Sequence, residues 1–445
     1  MSFKKIDLFQ PVDNKAYLNA AIKTAEYIKK NEIVTEQGTY WKIGTIEGKE
    51  ADEVENSFLN QRSIYAGAAG IGYFLVQLYE TTGDDTYLKD AISAGNYLVA
   101  TYKEEISKSP GIHAGAAGEG IFLDLLYTKT KDEKYKAQVL RIAEDIYQSA
   151  TKDESGIHWD GFFDYMGDAG AVVYWLQVAE KYGQDKYIQY AKEVLDSILQ
   201  LGEAYDDEAT YWRLFDPSVY FGTLPKGGVV PNFAHGTAGI VYLLTKYYEV
   251  TKDDKYLEEA KKGYQFLTKI AIRDEDAAIV PYLYFEEESR AFDVYYLGYC
   301  HGPSGDGIAI YELYKATGDA QYLEFFRQLS NALIKAGVPE KRSSGYWNDC
   351  LCCGSAGVLY HFLTASKIDE SYLTYAKKTA SKTITDAYKD QDGYRWYNAW
   401  TRIKPWDVDA HLGLYVGAAG SASALLATYA QLENVEITPL FEYAN

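Results

Sequence analysis

Cysteine is scarce in this chain: four residues in 445, none of them before Cys300. A secreted disulfide scaffold spreads more cysteines through a shorter chain, so that class is excluded. Positive charge is also short, with 44 Lys and Arg against 64 Asp and Glu and a formal net charge of −20. Such a surface repels phosphate backbones and excludes nucleic acid as a partner. No apolar stretch approaches the ~20 residues that cross a bilayer. The opening MSFKKIDLFQPVDNK lacks the apolar core of a signal peptide. These absences predict a cytoplasmic protein with no transmembrane segment. Histidine is nearly as rare as cysteine, at six residues.

Tyrosine, by contrast, is abundant at 43 residues; its ring packs while its hydroxyl stays wet or hydrogen-bonded, which suits helix seams and polar clefts. A repeat organises the chain. G-x-x-G occurs as Gly67-Ala-Ala-Gly70, Gly115-Ala-Ala-Gly118, Gly167-Asp-Ala-Gly170 and Gly236-Thr-Ala-Gly239. It returns as Gly302-Pro-Ser-Gly305, Gly354-Ser-Ala-Gly357 and Gly417-Ala-Ala-Gly420. Seven copies, each followed by a helix-like apolar run, define an internal repeat. Tyr87, Tyr135, Tyr187, Tyr256 and Tyr322 each lie 17 residues after the second glycine, and Tyr372 lies 15 after Gly357. Turns such as TGDDTYL and TKDDKYL supply the end of one helix and the cap of the next.

Each unit thus holds two helices. The first is apolar on most sides, as in IVYLLTKYY, and belongs inside. The second is amphipathic, as in YLEEAKKGYQFLTKI, and belongs outside. Aromatic links such as HWDGFF, TYWRLF, VPYLYF, GYWND and YRWYNAW read as short extended pieces leading into the next G-x-x-G. Seven such units close most simply as a ring of inner helices within a ring of outer ones, all-α, in one domain over 1–445. Residues 11–35 read as an amphipathic outer helix opening the ring; residues 1–60 hold that helix and an entry loop, and the repeats run from 61 to 430. An open solenoid is the rival architecture, and it would carry polar capping units. In a closed ring every G-x-x-G faces one end, where the preceding loops build the site.

Cys300, His301, His235, Cys352 and Cys353 all touch a G-x-x-G entry, in repeats four to six. Repeats one and seven offer no comparable ligands. A lone cysteine would read as a small core residue; two separated cysteine sites at equivalent positions point to metal. Soft thiolates suit Zn²⁺, with a fourth position open for chemistry. Three thiolates leave the site negative and make a fourth, substrate-derived thiolate more nucleophilic. Cys350 is either a substitute ligand or a bystander, and its position favours bystander. His113, His158, His361 and His411 read as structural.

The pattern resembles the lanthionine synthetase C-like cyclases, through Tyr299-Cys300-His301-Gly302 and Cys352-Cys353-Gly354. The resemblance covers nearly the whole chain through the repeat. It implies an α/α toroid of seven inner and seven outer helices and a zinc site of Cys300, Cys352 and Cys353, in which Cys353 replaces the usual His. Ala234-His235-Gly236 matches the A-H-G motif, whose His is assigned proton transfer. Asp164, ahead of the third motif, would orient nearby groups, and His301 is a second proton-transfer candidate. The family's Arg ahead of the first zinc cysteine is missing: Tyr296 stands four before Cys300, and Arg290 is the nearest arginine.

The implied reaction adds a Cys thiol to dehydroalanine or dehydrobutyrine in a precursor peptide, forming a thioether ring. The dehydrated peptide would come from a separate dehydratase and leave through a separate exporter. Three other readings stay open. One is addition of glutathione or another thiol to dehydroamino acids. A second is a carbohydrate-active α/α barrel, using Asp160, Asp164 and Asp407 near Trp159 and Trp406. The third is a non-catalytic scaffold that binds a peptide in the barrel mouth.

Overall fold

Entry loops that fold back over the helix starts explain both glycines of each motif. A methyl added to Gly302 would fall on the carbonyl of Tyr296, and one on Gly305 on the carbonyl of Tyr299. Only glycine permits so close a backbone approach. The first glycine caps an inner helix that begins one residue later, at Ala68, Ala116, Thr237, Pro303, Ser355 and Ala418. In the third unit a 3₁₀ turn, Asp168–Gly170, precedes the helix Ala171–Tyr182.

The computed structural model describes residues 8–42, 58–214, 227–285, 290–291, 295–341, 348–399, 406 and 408–443. Among them, seven inner helices each pack against the next, and the last, Ala418–Glu433, packs against the first, Ala68–Thr82. The ring is therefore closed, and the open solenoid is set aside. Outer helices follow at Asp85–Thr101, Glu133–Ser149, Lys186–Gln200, Asp254–Ile270, Ala320–Lys335 and Tyr372–Asp386, each packed on its own inner helix. Side chains of Asp84, Asp132, Asp253 and Asp319 cap four of them by accepting a backbone N–H two residues on.

The helix Asn14–Lys30 packs against the final inner helix and completes the outer ring. It is shorter than the 11–35 expected. Asp13 caps its start, and Glu32–Thr35 leaves it to pair antiparallel with Gly38–Trp41. The β-branched IVT and the positive φ of Gly38 favour a hairpin over further helix. Comparable hairpins follow four other outer helices, at 151–158, 202–212, 272–279 and 388–395. Four tryptophans at the hairpin ends lock back onto the helix before them. The indole N–H groups of Trp41, Trp159, Trp212 and Trp396 donate to the carbonyls of Ile28, Ile146, Ile198 and Thr383 at 2.7–3.2 Å.

A belt of backbone hydrogen bonds ties the entry loops together at one end of the ring. It runs from Met166 N to Ala234 O, Ala234 N to Cys300 O and Cys300 N to Cys352 O, then Cys352 N to Tyr415 O, Tyr415 N to Tyr65 O and Tyr65 N to His113 O, all at 2.9–3.1 Å. Six of the seven positions lie two residues before a first glycine; Met166 lies one before, because the third loop is a residue shorter.

The chain after Glu433 turns into the ring from the opposite end and climbs toward the belt. Thr438 bonds Glu80 and Gln77, and the carbonyl of Pro439 accepts the hydroxyl of Tyr73, one turn nearer the belt. Leu440 is fully buried and Tyr443 stacks on Tyr360. Glu442 then meets the hydroxyls of Tyr165, Tyr299 and Tyr415.

Candidate active site

Two belt positions in adjacent repeats carry the thiols. Cys300 and Cys352 sit side by side on the ladder with Cα atoms 5.7 Å apart and their sulfurs within bonding contact. Cys353 adds a third sulfur, 3.6 Å from that of Cys352. Ligand atoms of all three lie within 4.8 Å of one another, a group that could hold a metal ion. Two thiolates on one zinc stand about 3.8 Å apart, given Zn–S bonds of about 2.3 Å in a tetrahedron, so the Cys352–Cys353 spacing suits a shared ion, whereas Cys300 and Cys352 are paired as a disulfide and would join it only once reduced. Three soft sulfurs, two of them buried, are a donor set that fits zinc. Cys350 lies outside the group; its buried sulfur accepts the backbone N–H of Cys353 at 3.4 Å.

The loop that bears Cys352 and Cys353 is braced from outside the ring. Lys382, on the outer helix Tyr372–Asp386, reaches in to the carboxylate of Asp349 at 2.8 Å and also contacts Asp386. Ser355 donates to the same carboxylate at 3.0 Å, and Ser421 to the Asp349 carbonyl at 2.7 Å. Burying a charge is costly unless it is paired, so Lys382 and Asp349 fix the start of this loop. No repeat-level signal marks either residue.

His235 follows the belt residue Ala234. Its Nδ1 lies 2.9 Å from Oδ2 of the fully buried Asp164, while Oδ1 of Asp164 accepts the Gly167 N–H at 2.7 Å. His301, next to Cys300, has its ring 5.5 Å from that of His235. Burial, and then the neighbouring His235, hold the His301 imidazole well below its ordinary pKa. Tyr282 and Tyr296 wall His301, with ring centroids at 4.9 and 6.0 Å. Tyr296, standing where an arginine is expected, therefore faces this histidine; the side chain of Arg290 lies outside the described residues. Asp168 also stands beside Asp164. Burial pushes its carboxyl up to about 7, and it accepts the Gly161 N–H.

The other histidines sit elsewhere. His113 points toward the ring axis, 2.9 Å from the Tyr299 hydroxyl. His361 bonds Ser330, and burial takes it down to about 3. His158 bonds Asp153 at the surface, and His411 is buried in the seventh entry loop. Of the carbohydrate candidates, Asp164 is taken by His235 and Trp159 is buried against its own outer helix. Trp406 is 75% exposed, and Asp407 lies outside the described residues.

The sequence model of the lanthionine synthetase C-like protein family matches residues 59–440. The chain belongs to that family. A solved nisin cyclase structure aligns over 97% of this lanthionine synthetase C-like chain and 97% of its own, with a TM-score of 0.67 at 14% identity. That likeness shows the α/α toroid. An α-1,6-mannanase of Salegentibacter sp. HEL1_6 aligns over 95% of this chain and 99% of its own, at TM-score 0.50 and 14% identity. The Danio rerio protein named glutathione S-transferase LANCL1 is 22% identical over 314 residues, 69% of this chain and 70% of its own. Among the described residues no helix is long and apolar enough to cross a membrane.

Proposed function

We propose that the protein is a zinc-dependent lanthionine synthetase-like cyclase acting on a dehydrated precursor peptide. The observation that carries this reading is the convergence of three cysteine sulfurs from two repeats beside a histidine pair. Zinc held by Cys300, Cys352 and Cys353, with one position left for substrate, would keep an incoming thiol ionised at neutral pH.

The remaining chemistry falls to this chain's own side chains. The substrate sulfur bonds to the β-carbon of dehydroalanine or dehydrobutyrine while the C=C electron pair moves toward the carbonyl. The α-carbon then takes up a proton, so S–H adds across the double bond. His235, oriented by Asp164 at Nδ1, is the proposed proton-transfer group; His301 is the second group in reach of the same space. A separate dehydratase and a separate exporter would act before and after.

Metal analysis tests this, followed by thioether formation on a peptide that carries both cysteine and dehydroalanine. The expected result is one zinc per chain, with free Cys300 and Cys352 thiols. Both zinc and ring formation are lost in Cys300→Ser. A metal-free active protein, or a Cys300→Ser variant that keeps its rate, overturns the reading. The likeness to glutathione S-transferase LANCL1 favours a second thiol source, glutathione. A mass gain of one glutathione on a dehydroalanine peptide lacking cysteine would select it.

A further inference from the structure

The buried carboxylate of Glu442 has no part in the chemistry above, yet it touches the scaffold of both thiol-bearing loops. Tyr299 precedes Cys300 in the chain and donates its hydroxyl to Glu442 Oε1 at 2.6 Å. Tyr415, whose carbonyl accepts the Cys352 N–H, gives its hydroxyl to both Glu442 oxygens at 2.9 and 2.7 Å. Tyr165 adds a third hydroxyl at 3.0 Å, and His113 Nε2 lies 3.4 Å away. Glu442 is 3% exposed. A carboxylate so buried persists only if its lone pairs are filled, and three hydroxyl donors fill them.

We propose that Glu442, carried up the ring axis by the C-terminal segment, is a positioning residue that pins the Cys300 and Cys352 loops from beneath. Of the groups around Glu442, Tyr299 and Tyr415 are the ones that adjoin the cysteines, Tyr299 through the chain to Cys300 and Tyr415 through its carbonyl to the Cys352 N–H. Contacts at Thr438 and Pro439 hold the inner helix Ala68–Thr82 farther from the belt. Loss of the carboxylate frees Tyr299, beside Cys300 in the chain, and the belt residue Tyr415, bonded to Cys352, whereas loss of a lower contact loosens the tail alone. The zinc consequence rests on the function proposed above; the effect on the thiols does not.

The experiment compares Glu442→Gln, Tyr415→Phe and Thr438→Ala with the wild-type chain. Two readouts are used: zinc affinity by competition with a chromogenic chelator, and iodoacetamide alkylation of Cys300 and Cys352 in the reduced, metal-free protein, followed by peptide mass spectrometry. Glu442→Gln and Tyr415→Phe are expected to weaken zinc about tenfold, as supports behind metal ligands do, and to speed alkylation of both cysteines. Thr438→Ala is expected to leave both readouts at wild-type values even where it lowers the thermal midpoint. Wild-type alkylation rates in the Glu442 and Tyr415 variants overturn the proposal, as does an equal effect of Thr438→Ala. A wild-type chain that binds no zinc, yet shows the alkylation differences, keeps the positioning role and removes the metal reading alone.

Discussion

Asp164→Asn separates the histidine chemistry from the metal. Asp164 is fully buried, with Oδ1 on the Gly167 N–H and Oδ2 on His235 Nδ1. An asparagine of the same shape must keep its carbonyl oxygen on the Gly167 donor, so its amide N–H₂ turns to His235. Nδ1 then has to accept rather than donate, and the ring proton moves to Nε2. Nε2 changes from acceptor to donor, and a charge-assisted hydrogen bond of about 1.5–3 kcal/mol is lost. That range corresponds to a rate loss of about 10–150-fold, which reaches the lower end of the ~10²–10⁴ that general acid–base catalysis supplies. The assay is single-turnover ring closure on a dehydroalanine peptide, with zinc content measured on the same sample. Zinc stays stoichiometric while the rate falls, and the double variant Asp164→Asn/His235→Asn is no slower than His235→Asn alone. A rate within about threefold of wild type at full zinc occupancy, or independent losses in the double variant, refutes the assignment of Asp164 to His235.

Two further predictions concern stability. Burial pushes the carboxyl of Asp306 up to about 7, against hydrogen bonds from Asn232 and the Phe233 backbone that oppose the rise. The folded chain therefore holds a proton that the unfolded chain, titrating near 4, has released. Stability falls as pH rises through that window, by up to about 4 kcal/mol. Asp306→Asn removes the fall, so its thermal midpoint gains on wild type between pH 5 and pH 8; a pH-independent difference counts against it. Arg62 and Glu119 form a fully buried ion pair, Nε to Oε1 at 2.7 Å, joining the first entry loop to the second inner helix. Glu119→Gln leaves the guanidinium unbalanced and costs about 3–5 kcal/mol, read as a lower urea midpoint, while Arg62→Leu/Glu119→Leu recovers most of it.

The ring was legible because its constraint is steric and repeats. Both glycines of every motif meet the carbonyls of their own entry loop, and nothing but glycine fits there. The placement of Cys300 and Cys352 followed from the same register. The hairpin at 32–41 was hidden because the amphipathic pattern of the preceding helix fades into β-branched residues without a proline or glycine until Gly38. The bracing of the cysteine loop by Lys382 and Asp349 could not be read, since it joins an outer helix to a loop 33 residues away in one repeat only. Glu442 carried still less signal: it belongs to no repeat, and its partners come from three different entry loops.

The belt explains why one fold can present thiols and imidazoles together. Equivalent loop positions are joined backbone to backbone, so Ala234, Cys300 and Cys352 follow one another along the ladder. The residues after them, His235, His301 and Cys353, stand in the same order just before their glycines. Two registers of one ladder thus supply every side chain proposed for zinc binding and proton transfer, apart from Asp164. In repeats seven and one the same registers hold Tyr415-Val416 and Tyr65-Ala66, whose apolar and aromatic groups stack on one another. The proposed chemistry falls on one arc of the ring, where repeats four to six place Cys300, Cys352, Cys353, His235 and His301; the belt histidine of repeat two, His113, lies instead against Tyr299 and Glu442. The tyrosines on which Glu442 rests come from the third, fifth and seventh entry loops, so its platform extends under that arc as well as beyond it.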